Sequence, residues 1–218
     1  MIKLVVFDWN GVLIADAKAC WEADNQVLKK FKGRPVSFKT WKKTIIIPAI
    51  DFYTMHGANK RKLIDKKEEC SNIFHRFYEK RVSKVRTRKG AKQILKWLNF
   101  NKIACVILSN HTINGINLQL ERLRIRNYIY YILANPSKEA SLLKRNKLVK
   151  LKNFISSRKY KNYETTIIGD SPEEIEIGKS LGLKTIAITG GYYSISRLSK
   201  SKPDYLIKNL DELKKIIN

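Results

Sequence analysis

Four short runs of apolar, mostly β-branched residues recur along the chain, and helical patterns separate them. The runs are IKLVVF at 2–7, IACVILS at 103–109, TTIIG at 165–169 and KTIAIT at 184–189. Such runs are typical of buried strands, and strands that alternate with helices favour parallel βαβ units. The pattern therefore predicts an α/β fold with a Rossmann-like, doubly wound parallel sheet. Shorter strands are predicted near 129–133 and just before a final helix.

Residues 16–88 interrupt this alternation, because they contain helical patterns and no convincing strand. Helices are predicted from Ala15 to about Phe31, over 38–50 with a stop near Pro48, and within 58–84 as one or two amphipathic helices. Later helices are predicted after Gly90, at about 114–123 and over 139–157. We therefore expect a Rossmann-like core built from residues 1–15 and 89–218, with residues 16–88 inserted after the first strand as a helical domain.

The chain is strongly basic, with a formal net charge of +25. Nucleic acid is the usual partner of such a charge, but the charge here is spread over the whole chain. Residues 16–88 carry 19 basic and 8 acidic residues, and the rest carry 25 and 11. No basic stripe interleaved with aromatic residues stands out, so nucleic-acid binding is not favoured as the main function. A broad positive field would still attract a small phosphorylated substrate.

The cysteines and the apolar runs limit the class of protein. Cys20, Cys70 and Cys105 are odd in number and lack CxxC spacing, which argues against a disulfide framework and against a zinc site. No apolar run approaches the ~20 residues that span a bilayer, and the first run is too short for a signal peptide. The sequence therefore predicts a cytoplasmic protein without a membrane segment, and it makes no prediction of oligomeric state.

Polar residues follow each strong strand at the point where it ends. The first strand is followed by Asp8, Asn10 and Gly11, the second by Ser109, Asn110 and His111, and the third by Asp170, Ser171, Glu173 and Glu174. Ligands of such sheets bind at the carboxyl ends of the strands. Carboxylates from two strand ends, with another one helical turn later, predict a Mg²⁺ site with oxygen ligands. The alternative is that Asp8 and Asp170 only cap helices.

These strand ends resemble the motifs of the haloacid dehalogenase-like hydrolase superfamily, chiefly its phosphatases. FDWNGVL at 7–13 looks like the first motif, ILSN at 107–110 like the second and GDSPEEI at 169–175 like the fourth. Lys147, about one helix before the third strong strand, fits the third motif, although Lys144 and Lys150 lie close by. The insertion at 16–88 lies where this family places a helical cap domain, so the resemblance covers nearly the whole chain.

The resemblance implies a phosphoric monoester hydrolase that works through an aspartyl-phosphate on Asp8. It implies a Mg²⁺ ion bound by Asp8, the main-chain carbonyl of Asn10, Asp170 and Glu174. Ser109 would donate to a phosphoryl oxygen, and Lys147 would pair with the nucleophile and the transferred group. The predicted catalytic residues are thus Asp8, Asn10, Ser109 and Lys147. The predicted substrate-binding residues are Ser109, Asn110, Gly11, Trp9 and His56.

Asn10 is the departure from this family, whose phosphatases usually carry an aspartate there to protonate the leaving oxygen. An asparagine cannot exchange that proton, which leaves three outcomes: a slow phosphatase, a preference for acyl phosphates or phosphoanhydrides, or a non-catalytic protein. Asn10→Asp is expected to raise turnover on poor leaving groups. A phosphonate hydrolase or phosphomutase of the same superfamily is the alternative enzyme, and a phosphonate hydrolase would use Lys60 or Lys62 to form a Schiff base. A non-catalytic or nucleic-acid-binding member that keeps the fold is the alternative of another class.

Overall fold

The computed structural model describes residues 1–138 and 140–217. At its centre is a six-stranded, wholly parallel sheet of order β3-β2-β1-β4-β5-β6. The strands are β1 Leu4–Phe7, β2 Ala104–Thr112, β3 Tyr131–Asn135, β4 Thr165–Gly169, β5 Lys184–Ile188 and β6 Tyr205–Ile207. The predicted Rossmann-like α/β fold is confirmed, and the two strands in which every residue is buried, β1 and β4, lie at the centre of the sheet.

Helices connect the strands. They are α1 Ala17–Lys30, α2 Phe38–Thr44, α3 Ala49–Met55, α4 Lys60–Asp65, α5 Lys67–Val82, α6 Ala91–Phe100, α7 Ile113–Arg122, α8 Ala140–Leu143, α9 Lys147–Ser157, α10 Pro172–Ser180, α11 Ile195–Lys200 and α12 Leu213–Ile217. Single 3₁₀ turns lie at Arg126–Tyr128, Asn162–Glu164 and Leu210–Glu212. None of these helices is both long and apolar enough to span a membrane, as far as the chain is described.

Two predicted helices are each divided in the structure. The helix predicted over 38–50 ends at Thr44, and Pro48 then precedes a new helix, α3. Pro48 is the N-cap of α3, and proline is well tolerated at a helix start; α2 has already ended at Thr44, with Ile45 as its C-cap. The helix predicted over 139–157 is also divided, with α8 ending at Leu143 and α9 beginning at Lys147. Residue 139 lies outside the described residues.

Alternation along β1 divides the core into two layers. Val5 and Phe7 pack into the larger layer, which includes the inserted helices and apolar residues of α6 and α7. Leu4 and Val6 pack into the smaller layer, against α9 and α10. All four side chains are fully buried. Successive residues of a strand face opposite sides of the sheet, and helices cover both sides here. Every residue of β1 is therefore buried, which is why the strand contains no polar residue.

Five helices, α1–α5, lie between β1 and α6 and are named the inserted helices below. The chain enters and leaves them through two segments that run side by side. The amide of Ala15 donates to the carbonyl of Arg86 at 3.2 Å, and the amide of Arg88 donates to that of Leu13 at 2.9 Å. The predicted boundaries of a separate domain, residues 16 and 88, stay a prediction.

Candidate active site

The strand register brings the predicted acids together. Phe7 of β1 pairs with Ile168 of β4, and the amide of Asp8 donates to the carbonyl of Ile168 at 2.9 Å. Asp170 follows two residues later on the neighbouring strand. This is the point where the strand order reverses, and the crevice there is where open α/β sheets bind ligands. Carboxylate oxygens of Asp8, Asp170 and Glu174 all lie within 4.8 Å of one another, and all three residues are buried.

Lys147 joins this group from α9. Its Nζ donates to Oδ1 of Asp8 at 2.8 Å and to Oε1 of Glu174 at 2.6 Å, and the side chain is only 4% exposed. A lysine at the first residue of a helix lies against the positive end of the helix dipole, so its burial there requires the carboxylates around it. Of the alternatives, Lys144 is exposed, and Lys150 donates to Asn135 at 2.5 Å.

We call Asp8, Asp170, Glu174 and Lys147 the acidic floor. Burial raises the pKa of Asp8 to about 7, even though Lys147 opposes the shift. Burial, with the charge of Asp8, raises the pKa of Asp170 well above its usual range. Burial alone would lower the pKa of Lys147, but Asp8 and Glu174 raise it well above its ordinary value. Three carboxylates thus face one ammonium, so one divalent cation would balance the site.

Two glycines leave room for Asp170. A Cβ on Gly11 or on Gly191 would overlap Oδ2 of Asp170. Gly11 also has a φ of +72°, a left-handed conformation that disfavours other residues. The same Oδ2 accepts the amide of Tyr192 at 2.5 Å. Gly11 was predicted as a substrate-binding residue; its position shows a role in admitting the Asp170 carboxylate.

Asn10 and Ser109 lie together beside the floor. Oγ of Ser109 donates to Oδ1 of Asn10 at 3.2 Å. The amide nitrogen of Asn10 donates to Oδ2 of Asp16 at 2.7 Å and contacts the hydroxyl of Tyr78 at 2.8 Å. These partners fix which way the amide points, with its oxygen toward Ser109. The side chain of Asn10 is therefore held in place on both sides.

Asp16 is a buried carboxylate that the sequence did not single out. Its Oδ2 accepts from Asn10 and from the hydroxyls of Tyr78 at 2.7 Å and Tyr192 at 2.8 Å, and its Oδ1 accepts the amide of Gly11 at 2.8 Å. Burial raises the pKa of Asp16, and these donors lower it in part. Asn10 and Gly11 are sequence neighbours of Asp16, but Tyr78 comes from α5 and Tyr192 from the loop after β5, so only the folded chain brings the tyrosines to it.

Asn110 lies at the second strand end, as predicted, and is held by another acid. Its side-chain amide donates to Oε2 of Glu173 at 3.0 Å, and Glu173 also accepts from Arg145 at 3.1 Å. The side-chain oxygen of Asn110 is buried and has no partner among the described residues. An unpartnered acceptor beside the floor is a group that a ligand donor can satisfy.

A cavity of about 130 Å³ lies over the floor, between the strand ends and the inserted helices. Asp8, Asn10, Asn110, His111 and Asp170 line it from the sheet side. Residues of the inserted helices line it from the other side, among them Cys20, Asp24, Tyr53, Ser71, His75 and Tyr78. This placement suits a site in which the sheet supplies chemistry and the helices select what enters.

Of the five predicted substrate-binding residues, Asn110 lines this cavity, whereas Gly11, Ser109, Trp9 and His56 are not among the lining residues. Trp9 is fully buried, and its Nε1 donates to Gln119 at 3.2 Å. His56 packs its ring on Phe52 and places Nε2 3.0 Å from the hydroxyl of Thr44. Both side chains are therefore occupied elsewhere in the protein.

The lysines proposed for a Schiff base, Lys60 and Lys62, are exposed at the start of α4. Neither residue lines the cavity. Their positions therefore give no support to the phosphonate hydrolase alternative.

Comparisons with known proteins agree with the motifs and the fold. The sequence model of the haloacid dehalogenase-like hydrolases matches residues 5–188. A phosphoglycolate phosphatase of Pseudomonas fluorescens is 21% identical over 218 residues, covering 97% of this chain and 78% of that protein. The structure of a "predicted phosphatase" from Clostridium acetobutylicum is 19% identical with a TM-score of 0.79, covering 100% of this chain and 98% of that one. A haloacid dehalogenase-like family hydrolase from Streptococcus pneumoniae is 15% identical with a TM-score of 0.74, covering 100% and 99%. The predicted resemblance is confirmed.

Proposed function

This chain belongs to the haloacid dehalogenase-like hydrolase family, and from that premise we propose that it is a magnesium-dependent phosphatase of a small phosphorylated metabolite. The observation that carries the proposal is the acidic floor. Asp8 and Asp170 come from different strands, yet their carboxylates lie within 4.8 Å of each other and of Glu174. Burying like charges together is costly, and a protein retains such an arrangement where a cation or a reaction requires it.

The residues present fit a divalent cation. Asp8 and Asp170 would bind it through carboxylate oxygens and Asn10 through its main-chain carbonyl, with Glu174 close by. These are hard oxygen donors of the kind that Mg²⁺ prefers. Among the described residues, Lys147 forms the salt bridges of Asp8 and Glu174, and Asp170 forms none. When bound, Mg²⁺ would offset the repulsion between the Asp8 carboxylate and the negative phosphoryl group.

Asp8 would act as the nucleophile. Lys147 holds Oδ1 of Asp8, which leaves Oδ2 to attack phosphorus. The new bond joins this oxygen to phosphorus while the bond to the leaving oxygen breaks, giving an aspartyl-phosphate. Water then attacks the same phosphorus, releases phosphate and regenerates the carboxylate. Ser109 would donate to a phosphoryl oxygen, and Lys147 would stabilise charge on the transferred group.

The leaving oxygen poses a separate problem, because it must acquire a proton or depart as an anion. Asn10 holds no acidic proton, and its amide is already engaged by Asp16 and Tyr78. General acid help is worth ~10²–10⁴ in rate, so its absence slows rather than abolishes the reaction. We therefore propose that the enzyme prefers leaving groups that depart without protonation, such as acyl phosphates and phosphoanhydrides. The Pseudomonas relative is named a phosphoglycolate phosphatase. Phosphoglycolate is a phosphate ester, whose leaving oxygen does need a proton, so it serves as the contrasting substrate.

The experiment is a phosphate-release assay of the full chain with acetyl phosphate, pyrophosphate, p-nitrophenyl phosphate and phosphoglycolate. EDTA should abolish activity, Mg²⁺ should restore it, and Asp8→Asn should lower kcat by at least ~10⁴-fold because the nucleophile is lost. Asp51→Asn, an exposed aspartate of α3, is the matched control and should match the wild type. Equal rates for Asp8→Asn and the wild type on every substrate would refute the proposal.

The leaving-group preference has its own readout in the same assay. The value of kcat/KM should fall steeply as the pKa of the leaving group rises, so acetyl phosphate should be the best substrate and phosphoglycolate the poorest. A flat dependence would mean that some other group supplies the proton.

A further inference from the structure

A second cluster of metal-ligand side chains lies beside the same cavity, on α5 and at the end of β2. His75 and Glu79 are one turn apart on α5, so both project from one face of the helix. Oε1 of Glu79 lies 3.8 Å from Nδ1 of His75 and 3.7 Å from Nε2 of His111. The two imidazole rings are nearly parallel, with centroids 5.7 Å apart. Two histidines and one carboxylate thus converge on a single point.

The nitrogens that face this point have no partner. Nδ1 of His75 and Nε2 of His111 are both buried, and neither has a hydrogen-bond partner among the described residues. The side chains are only 7% and 5% exposed. Their distances to Glu79 are too long for hydrogen bonds. Buried polar atoms are nearly always satisfied, so two that face one carboxylate indicate an absent ligand.

Gly115 leaves room for the His111 ring. A Cβ at this position would lie 2.6 Å from Nε2 of His111, closer than atoms in contact approach. Gly115 is in the first turn of α7, where a glycine weakens the helix relative to alanine. Its presence keeps the edge of the imidazole that carries Nε2 free of obstruction.

We propose that His75, Glu79 and His111 bind one divalent transition-metal ion, with Zn²⁺ the expected occupant. Imidazole nitrogens select such ions over Mg²⁺ and Ca²⁺. Ligand atoms around a tetrahedral Zn²⁺ lie ~3.3 Å apart for bond lengths near 2.0–2.1 Å. Oε1 of Glu79 is 3.8 and 3.7 Å from the two nitrogens, and all three atoms lie within 4.8 Å of one another, so the ligands must draw together when the ion binds. The side chain of Glu79 is 43% exposed, which leaves it free to move and gives water access to a fourth position.

The ion would join the inserted helices to the sheet. Its ligands come from α5 on one side and from the last residues of β2 on the other, two residues after Ser109. A bound ion would therefore fix α5 over the cavity. This inference does not rest on the proposed phosphatase activity. It also revises the expectation from the cysteine spacing that the chain holds no zinc site, because the ligands here are histidines and a glutamate.

The experiment measures Zn²⁺ and Co²⁺ binding to the full chain, stripped with EDTA and held in a large excess of Mg²⁺ to saturate the acidic floor. The wild type should bind one equivalent of Zn²⁺, and saturating Zn²⁺ should raise Tm by ~5 °C or more. Co²⁺ should give a visible d–d spectrum without a thiolate charge-transfer band. His75→Gln, His111→Gln and Glu79→Gln should each weaken Zn²⁺ binding by at least ~10-fold.

Matched controls separate this site from others. The chain has three histidines, so His56→Gln removes the one outside the cluster and should bind Zn²⁺ as the wild type does. Glu68→Gln removes an exposed acid of the same helix and should also have no effect. Unfolding in EDTA confirms that each variant is folded, and Glu79→Gln, at the half-exposed position, is the least disruptive of the three ligand variants.

Several results would overturn the proposal. One is a wild type that binds no Zn²⁺ in excess Mg²⁺; the unpaired nitrogens would then face the substrate instead. Another is a Co²⁺ spectrum with a strong thiolate band, which would assign the ion to Cys20 or Cys70. A third is unchanged affinity in the histidine variants. Phosphatase activity is not a readout in any of these, so failure here leaves the proposed function intact.

Discussion

The protein buries two sets of carboxylates, and it compensates them in different ways. In the acidic floor, Asp8 and Glu174 share the ammonium of Lys147, while Asp170 has no Lys or Arg salt-bridge partner among the described residues. The second set, which we call the donor-held carboxylates, is Asp16 and Asp24. These two accept only from neutral groups, since Asp24 takes Trp41 Nε1 at 2.7 Å and the Tyr53 hydroxyl at 2.8 Å.

The two sets have different roles in the protein. Neutral donors occupy the lone pairs of both oxygens of Asp16 and of Asp24, so these carboxylates have little free capacity to bind a metal ion and instead fix the inserted helices around the cavity. The floor has one ammonium, that of Lys147, for three carboxylates, and a divalent cation can make up this deficit of positive charge. Three predictions test this comparison.

The largest effect is expected from Lys147→Met, which leaves the floor with no cation. Removing one partner of a buried ion pair costs ~3–5 kcal/mol, so the variant should be that much less stable to urea at pH 7.5 in EDTA. Mg²⁺ should recover much of the loss, and kcat should still fall at least ~10²-fold. Lys144→Met, an exposed lysine three residues earlier, is the control. Equal urea midpoints for the two variants in EDTA would contradict the role given to Lys147.

The next effect concerns Asp24 and is a dependence on pH. Burial raises the pKa of Asp24 to about 6 from a model-peptide value near 3.8, so the folded state binds more protons than the unfolded state between these values. Its contribution to stability is therefore lost as pH rises through this window. A shift of about two units corresponds to ~3 kcal/mol, which the wild type loses as pH rises and the variant Asp24→Asn does not. Relative to the wild type, the unfolding free energy of the variant should therefore rise by up to that amount between pH 4 and pH 7.

Urea unfolding in EDTA at both pH values measures this change for Asp24→Asn against the wild type. Asp51→Asn, the exposed control, should show a difference from the wild type that does not vary with pH. If the difference between Asp24→Asn and the wild type also does not vary with pH, the pKa of Asp24 is not raised in the folded protein. Asp24 would then not belong with the donor-held carboxylates.

The smallest change in stability is expected at Asn10, which lies between Asp8 of the acidic floor and Asp16 of the donor-held carboxylates. The sequence predicts that Asn10→Asp raises turnover on poor leaving groups, but the structure places Asp16 at 2.7 Å from the amide nitrogen. A carboxylate there would repel Asp16, so the single variant should be ~1–3 kcal/mol less stable. The double variant Asn10→Asp/Asp16→Asn should recover part of that stability. It should also hydrolyse phosphoglycolate at least ~10-fold faster than the wild type.

A double-mutant cycle over these variants gives the coupling between positions 10 and 16 directly. Additive effects on stability would show that the two side chains do not interact as the structure places them. Recovered stability without faster ester hydrolysis would instead show that proton donation does not limit the rate.

The sheet and its strand ends could be predicted from the sequence because both follow from local pattern. A run such as TTIIG is a buried strand in any parallel sheet, and strand ends meet at one edge by topology alone. Asp8, Asp170 and Glu174 were found in this way, and Lys147 came from the spacing of the family motif. What distinguishes Lys147 from Lys144 is the break between α8 and α9, which the uniform apolar spacing of 139–157 did not reveal.

The side of the cavity that the inserted helices form could not be predicted from the sequence, because its contacts join distant parts of the chain. Asp16 accepts from Tyr78 and Tyr192, which are 62 and 176 residues away. In the sequence Tyr78 is one aromatic residue of an amphipathic helix, and packing alone would explain it. His75 and His111 are likewise isolated histidines until the fold brings them together. Trp9 and His56 show the reverse case: the sequence places them near a motif and a loop, but the Trp9 side chain bonds Gln119 and the His56 ring packs on Phe52, and neither residue lines the cavity.

The paired segments at Leu13–Ala15 and Arg86–Arg88 have a consequence for how this protein can be altered. The two ends of the insertion are hydrogen-bonded neighbours, so the distance that an inserted segment must span is the same whatever its length. Loop-closure entropy grows only logarithmically, by ~0.6 kcal/mol for each doubling of length. Evolution can therefore replace the inserted helices with an insertion of different size at little cost to the stability of the sheet and its active-site residues. Protein engineering can make the same replacement.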